Sequence, residues 1–155
     1  MAPELPVYPG QIVARLARHV EMAAGTADLT LAQYRVLGIL SGQSAAASVL
    51  AEKLAVSRPS VTGVVDGLVA RELVTRTHDP VDRRRISLDL TKQGRTVLAG
   101  IDAEIGRRFD DIAGYGPDGG EPLAGLMPWR DALEAYTLAR RDGAPRAGST
   151  EKAAG

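Results

Sequence analysis

The sequence predicts a mainly α-helical fold of the α+β class, in which one short β-hairpin interrupts a series of helices. A helical pattern starts at Ser57 and keeps one face apolar, through Val61, Val64, Val65, Leu68 and Val69. Residues 73–78 and 85–90 then have the composition of β-strands, and the second strand alternates polar with apolar side chains. A short amphipathic helix at 48–54 precedes this unit across a tight turn at 55–57. Two helices joined by a tight turn and followed by a hairpin outline a winged helix-turn-helix.

The N-terminal region is predicted to form an extended arm followed by two helices. Residues 1–9 contain three prolines, which favour extended backbone. Over residues 11–24 a broad helical face is apolar and is formed by Ile12, Val13, Leu16, Ala17, Val20, Ala23 and Ala24. A face of this breadth indicates burial against both its own domain and a partner subunit. A capping box of Thr30 and Gln33 starts the second helix, and Ser41-Gly42 ends it.

The helix-turn-helix has a predicted cap and a predicted core. Ser57 is placed to cap the second helix, and Pro59 falls in its first turn, where the missing N–H costs little. Ala51 allows the two helices to approach closely. The space between them is predicted to be filled by Leu50, Leu54, Val56, Val61, Val65 and Leu68. Turn residues at 79–82 place three arginines, Arg83, Arg84 and Arg85, at the tip of the hairpin.

Two further helices are predicted beyond the hairpin. Thr91 is placed to cap a long helix that reaches about Ala113. Its apolar stripe consists of Val97 or Leu98, followed by Ile101, Ile105, Phe109 and Ile112. A glycine-rich loop at 114–120 leads to a last helix, in which Pro128 marks either a kink or the true start. The apolar residues of that helix are Leu126, Trp129, Leu133 and Tyr136. Residues 142–155 have the composition of a disordered tail.

The predicted organisation is a winged helix-turn-helix at 29–91 between dimerisation helices at 10–28 and 92–141. The terminal helices carry more apolar surface than one small domain can bury, which favours a homodimer. A twofold dimer would place two recognition helices about one DNA turn, ~34 Å, apart and would select a palindrome.

Composition excludes several classes of protein. A chain of 155 residues is long enough for one domain with a core. The absence of cysteine excludes disulfides, thiolate nucleophiles and zinc fingers. The two histidines show no metal-ligand spacing, so we expect neither a metal nor a cofactor. No apolar run approaches the ~20 residues of a membrane span, and the N-terminus lacks a signal-peptide pattern. We therefore expect a cytoplasmic protein without membrane contact.

The distribution of charge favours nucleic acid as the partner, although the formal net charge is zero. Residues 57–95 hold eight Lys/Arg against five Asp/Glu, a difference of +3. Residues 96–155 hold seven against ten, a difference of −3. The positive excess therefore falls on the helix-turn-helix and the wing, as a DNA-facing lobe requires.

Three motifs resemble those of the MarR family of transcriptional regulators. LTLAQYRVL at 29–37 is similar to the LTxxQxxVL signature of the family's second helix. LAEKL at 50–54 with SRPSVT at 57–62 is similar to its helix-turn-helix, and residues 82–94, with DRR and LTKQG, resemble its DxR…LTxxG wing. The resemblance covers about residues 10–140. It implies a homodimeric DNA-binding protein, usually a repressor that a small aromatic or phenolic ligand releases.

Two positions depart from the family pattern. Gly63 stands where members often carry a longer polar residue, frequently arginine, which leaves the helix less able to read bases directly. Glu72 replaces a glycine that is common between the recognition helix and the wing. A left-handed backbone at Glu72 would cost about 1 kcal/mol relative to glycine.

The candidate DNA-binding residues form two groups. The first lies at the N-terminal turn of the recognition helix, which normally enters the major groove, and comprises Ser57, Arg58, Ser60 and Thr62. Helix capping and plain solvent exposure are the alternatives there. The second group is Arg83, Arg84 and Arg85. Successive side chains along a strand point to opposite faces, so we do not expect all three arginines to face DNA together. The resemblance implies that Arg84 enters the minor groove and that Asp82 orients the wing, the alternative being a solvated basic turn.

The resemblance also implies a ligand pocket between the DNA-binding lobe and the dimer helices. The candidates to line it are His19, Met22, Tyr34, Arg35 and Phe109. Core packing or surface exposure is the alternative for each of them.

No catalytic residues are predicted, because the sequence shows no Gly-rich phosphate loop, no nucleophile with a base and no paired carboxylates. We expect a transcriptional regulator that represses by binding a palindromic operator in double-stranded DNA and is released by a small aromatic or amphipathic effector. The alternative is a winged-helix module for protein contacts without a ligand response, which would not need three arginines at the wing tip.

Overall fold

The computed structural model describes residues 8–78, 86–116 and 123–141. The helices are α1 Pro9–Gly25, α2 Leu31–Gly42, α3 Ala47–Leu54, α4 Arg58–Ala70, α5 Lys92–Ala113 and α6 Met127–Arg141. The strands are β1 Val74–His78 and β2 Ile86–Leu90. The chain divides into two compact units, Met1–Arg108 and Phe109–Gly155. The mainly helical α+β class predicted from the sequence is confirmed.

The first two helices begin and end close to their predicted positions. α1 starts at Pro9, slightly earlier than expected, because a proline in the first turn needs no N–H partner. Residues 1–7 of the expected arm lie outside the described residues. The predicted capping box of α2 is confirmed: the Gln33 N–H donates to Thr30 Oγ1 at 3.2 Å, and the Thr30 N–H donates to Gln33 Oε1 at 2.9 Å.

The core of the helix-turn-helix confirms every predicted filler except one. The buried side chains between α3 and α4 include Leu50, Leu54, Val61, Val65 and Leu68. Val56 was expected among them, and this was wrong, since it is 45% exposed. Ala55 takes a left-handed conformation, with φ 56°, and the Val56 N–H returns to the Ala51 carbonyl at 3.1 Å. This C-cap reverses the chain and leaves the Val56 side chain on the surface.

The wing is an antiparallel pair of strands whose register runs from Val74 opposite Leu90 to His78 opposite Ile86. Ala45 extends the pair on its other side by exchanging two backbone hydrogen bonds with Leu88, at 3.1 and 2.9 Å. The predicted hairpin is therefore present and is anchored to the segment that leads into α3. Its connection, residues 79–85, lies outside the described residues.

The start of α5 is fixed against the end of α4. The Gly94 N–H donates to Thr91 Oγ1 at 2.9 Å, which confirms Thr91 as the cap. The apolar stripe of the helix is buried at Leu98, Ile101, Ile105 and Phe109, whereas Ile112 is 37% exposed. Leu98 rather than Val97 belongs to the buried face.

The second unit contains the end of α5, a single 3-10 turn at Ala124–Leu126 and α6. Pro128 is the second residue of α6, so it marks the start of the helix and not a kink. Large apolar side chains of this helix, Trp129, Leu133 and Tyr136, are exposed in the single chain, as is Leu126 of the 3-10 turn, which was predicted to belong to the helix. The predicted disordered tail at 142–155 lies outside the described residues, as do residues 117–120 of the predicted loop.

Candidate nucleic-acid interface

The N-terminal turn of α4 is capped by its own hydroxyl groups. The Ser60 N–H donates to Ser57 Oγ at 3.3 Å, and the two serine hydroxyls lie 2.7 Å apart. Thr62 Oγ1 donates to the Arg58 carbonyl at 3.1 Å, one turn earlier. These bonds hold the three hydroxyls in fixed positions. A serine or threonine oxygen has two lone pairs, so acceptor capacity remains on the outer side of the turn.

The same turn is open to solvent. All four predicted residues, Ser57, Arg58, Ser60 and Thr62, are exposed. The guanidinium of Arg58 makes no hydrogen bond or ion pair within the part of the chain that the structure describes. The backbone N–H groups of this first turn carry the positive end of the helix dipole. The surface at the start of α4 can therefore accept an anionic or hydrogen-bonding partner.

Gly63 lies on this exposed surface as well. A Cβ built at Gly63 would meet no atom within 4 Å. The absence of a side chain is therefore not required by packing within the described chain. A longer residue would project freely from the helix at this position.

An ion pair that sequence patterns did not predict joins α4 to the wing. Arg76 Nη2 on β1 pairs with Asp66 Oδ1 on α4, and both side chains are more than a third exposed. Alternation along β1 places Arg76 on the same face as the buried Val74, which turns it towards α4. The two residues are ten positions apart, beyond any helical or strand repeat. Only their opposite charges hinted at the contact.

The predicted wing residues Asp82, Arg83, Arg84 and Arg85 lie outside the described residues. The described strands do fix the two ends of the connection. His78 and Ile86 are paired across the ladder.

The predicted ligand-site residues differ in their burial. His19 and Tyr34 are half-buried, Met22 is 42% exposed and Arg35 is exposed. Phe109 is buried but belongs to the second unit. Tyr34 has a specific partner, because its hydroxyl donates to Asp102 Oδ1 on α5 at 2.8 Å. Burial, and then this hydrogen bond, raise the pKa of the Tyr34 phenol above its ordinary value.

The described residues contain neither a metal-binding cluster nor a membrane-spanning helix. No group of three or more histidine, aspartate or glutamate side chains is arranged to hold a metal ion in residues 8–78, 86–116 and 123–141. Within the same ranges, no helix is both long and apolar enough to cross a membrane.

Comparison with known proteins points to one family. Residues 27–85 match the model of the MarR family. The chain is 32% identical over 87 residues to the HTH-type transcriptional regulator FarR of Neisseria gonorrhoeae, covering 56% of this chain and 60% of FarR. It is 33% identical over 88 residues to the HTH-type transcriptional repressor NicR of Pseudomonas putida, covering 56% of this chain and 54% of NicR. The chain thus spans 54–60% of the length of these relatives.

A solved structure shares the fold over most of the chain. CouR from Rhodococcus jostii RHA1, bound to p-coumaroyl-CoA, superposes with a TM-score of 0.64 and 25% identity, covering 83% of this chain and 88% of CouR. The family match extends from the end of α1 through the helix-turn-helix into the wing. The helix-turn-helix and wing region of this chain is therefore similar to the MarR family, and the fold is that of a winged helix-turn-helix protein of this kind.

Proposed function

We propose that this protein is a sequence-specific DNA-binding transcriptional regulator that acts as a homodimeric repressor in the cytoplasm. The observation that carries the proposal is the exposed, hydroxyl-rich N-terminal turn of α4, with Arg58 at its first position and the wing strands beside it. The relatives FarR and NicR are described as a regulator and a repressor of transcription, which agrees with this function.

The first turn of α4 is proposed to enter the major groove of double-stranded DNA. Ser57, Ser60 and Thr62 offer acceptor oxygens to base edges and to backbone phosphates through water, and Arg58 offers a guanidinium. The helix dipole adds favourable charge for phosphate at this end. The local bonds among the hydroxyls reduce their freedom, so ordering them on DNA costs little additional entropy.

The wing is proposed to add contacts in the adjacent minor groove. Arg84 is the residue expected to enter it, where the negative potential of a narrow groove favours a guanidinium. Arg83 and Arg85 are then candidates for phosphate contacts. The ion pair of Asp66 with Arg76 supports this arrangement, since it ties the wing to the recognition helix.

A second copy of the chain is proposed to cover the apolar surfaces of the terminal helices. On α1, Ile12 is 48% and Val13 is 65% exposed, and on α6 Trp129 is 64% and Leu133 is 62% exposed. Full burial of an apolar side chain of this size contributes about 1.5–3 kcal/mol to the stability of the assembly that buries it. An isologous dimer would bury them in pairs and present two recognition helices to a palindromic operator.

An effector is proposed to regulate the binding. The structure of CouR holds p-coumaroyl-CoA, a ligand with an aromatic acyl group. By analogy, a small aromatic or amphipathic molecule would bind near His19, Met22, Tyr34, Arg35 and Phe109 and lower the affinity for the operator. Linkage requires the operator to lower the affinity for the effector by the same factor.

The test is to select DNA from the organism's own genome with the purified protein and to measure affinity for the recovered sequence and for a scrambled duplex. We expect preference for a palindrome, and loss of that preference in a variant combining Ser60→Ala with Thr62→Ala. Arg107→Ala is the control, because Arg107 lies on α5 and its partner Glu104 keeps a second arginine, Arg108. Equal binding to both duplexes by the wild type, or none, would contradict the proposal and favour the protein-interaction module.

A further inference from the structure

Arg71, the residue that ends the recognition helix, makes a forked contact with a distant turn. Its Nη1 donates to the Asp28 carbonyl at 2.7 Å, and its Nη2 donates to the Ala27 carbonyl at 2.8 Å. A guanidinium that bonds two successive carbonyls is held in both distance and direction. Lysine, with a single ammonium at the end of a flexible chain, cannot reproduce such a fork.

The turn that Arg71 holds is the C-terminal end of α1. The helix ends at Gly25, and the Asp28 N–H still returns to the Gly25 carbonyl at 3.1 Å. Asp28 is left-handed, with φ 53°, and the Leu29 N–H then reaches back to the Ala24 carbonyl at 3.1 Å. The carbonyls of residues 27 and 28 lie at the negative end of the α1 dipole, where a cation is favoured.

The three residues after α4 connect to two other helices. Arg71 contacts the end of α1, and the next residue, Glu72, turns the chain with φ 58°. The carbonyl of Leu73 then accepts from the backbone N–H of Thr91, at the start of α5, at 3.1 Å. Residues 71–73 are therefore a junction between the recognition helix and the ends of α1 and α5.

We propose that Arg71 is a positioning residue, which fixes the end of the recognition helix against the end of α1 and thereby sets the half-site spacing that the protein accepts. This rests on the proposed function, in which α1 contributes to a twofold dimer. In such a dimer the orientation of α4 relative to α1 determines the separation of the two recognition helices. Arg71 does not lie at the N-terminal turn that contacts DNA, so its effect is on geometry.

The experiment uses the full-length protein and synthetic duplexes that carry the palindrome selected by the wild type. The spacing between the half-sites is lengthened or shortened by single base pairs. We expect the wild type to prefer one spacing, and Arg71→Ala to lose about tenfold in affinity at that spacing, the equivalent of one charge-assisted hydrogen bond. Affinity at the other spacings should change little, so the spacing profile of the variant flattens.

Arg71→Lys and Arg107→Ala serve as comparisons. The lysine variant retains the charge without the fork and should also flatten the profile, and it replaces the alanine variant if that one does not fold. Arg107→Ala removes an arginine elsewhere and should follow the wild type. If both Arg71 variants kept the spacing preference of the wild type, with affinity unchanged or uniformly weaker at all spacings, the role of Arg71 would be overturned and the proposed function would stand. A wild type that binds every spacing equally would overturn both this proposal and the paired-helix function on which it rests.

Discussion

Thr91 donates two hydrogen bonds to the carbonyl oxygen of Leu73, one from its backbone N–H and one from its hydroxyl, each at 3.1 Å. The same hydroxyl accepts the Gly94 N–H at 2.9 Å, so one threonine caps α5 and docks it on the end of the recognition helix. This close approach leaves no room for a side chain at Gly94.

Gly94→Ala should therefore destabilise the protein. A Cβ there would overlap the Leu73 carbonyl oxygen and lie 2.7 Å from Leu90 Cδ1. Backbone cannot yield as a flexible side chain does, so we expect the free energy of unfolding to fall by about 3 kcal/mol, at the upper end of overpacking costs. Unfolding in urea measures this change in the free energy of unfolding.

Gly63→Ala is the control, since a Cβ at Gly63 meets nothing within 4 Å. This change should raise the stability by up to about 1 kcal/mol. Equal effects of the two changes would refute the packing argument.

Glu72→Gly should stabilise the fold. Glu72 has φ 58°, a conformation that costs a non-glycine residue about 1–2 kcal/mol. Glycine removes this strain but loses more conformational freedom on folding, about 0.5–1 kcal/mol, so we expect a net gain of about 0.5–1 kcal/mol. Glu72→Ala retains the Cβ while removing the charge and should not reproduce the gain. A similar gain in both variants would assign the effect to charge instead of backbone strain.

Tyr34→Phe should cost about 1 kcal/mol of stability, because it removes the hydrogen bond to Asp102. Tyr115→Phe is the control, since Tyr115 is 95% exposed. The pKa of Tyr34 is raised by burial and by Asp102, so the neutral phenol is the form that stabilises the fold. The contribution of Tyr34 to the free energy of unfolding is complete below about pH 10, the ordinary pKa of tyrosine. It is lost as the pH rises through the raised pKa. The difference in unfolding free energy between wild type and Tyr34→Phe should accordingly shrink above that pH. A difference that grows there would show the sign to be wrong.

Elements that depend on local chemistry were predictable from the sequence. The capping box of Thr30 with Gln33, the Ser57 cap and the Thr91 cap each involve residues three positions apart, and all three are present. The burial of Leu50, Val61 and Leu68 followed from helical periodicity. Such features need no knowledge of the tertiary arrangement.

Contacts between distant parts of the chain were not predictable in this way. Arg71 reaches a turn more than forty residues earlier, and Tyr34 reaches Asp102 on α5. Neither pair has a spacing that a repeat would reveal. The burial of Val56 was wrongly predicted for a related reason. Its apolar character suggested burial, but the left-handed backbone at Ala55 redirects the chain before it. The side chains proposed to touch DNA or ligand stay predictions.

Leu133→Glu should convert the proposed dimer into a monomer. Leu133 is 62% exposed in the single chain, so the charge would not disturb a described core but would be buried in the interface, at a cost of several kcal/mol. Ala135→Glu introduces the same charge on the opposite face of α6 and should leave the dimer intact. Removal of residues 121–155 should likewise give a monomer or an insoluble protein. Light scattering at micromolar concentration distinguishes these outcomes. A wild type that is monomeric there would contradict the dimer, and a dimeric Leu133→Glu would exclude this face of α6.

The last prediction concerns how sequence discrimination is divided between helix and wing. Gly63 leaves the recognition helix without a long base-reading side chain, so the wing should carry a larger share. We expect Arg84→Ala to cost about 1–3 kcal/mol per subunit on the operator, through loss of a base or narrow-groove contact. It should also reduce the salt dependence of binding by about one ion per subunit. The measurement compares operator with scrambled DNA at two salt concentrations.

Lys92 and Arg95 provide the matched controls for Arg84. Both are exposed in the first turn of α5, and we expect them to face solvent or phosphate and to contact no base. Their replacement by alanine should weaken operator and scrambled DNA equally. Gly63→Arg should have the opposite effect to Arg84→Ala, because the open space around Gly63 allows an arginine to extend into the groove. If Arg84→Ala weakened both duplexes to the same degree, Arg84 would be a phosphate contact, and discrimination would rest with the short hydroxyl side chains of α4.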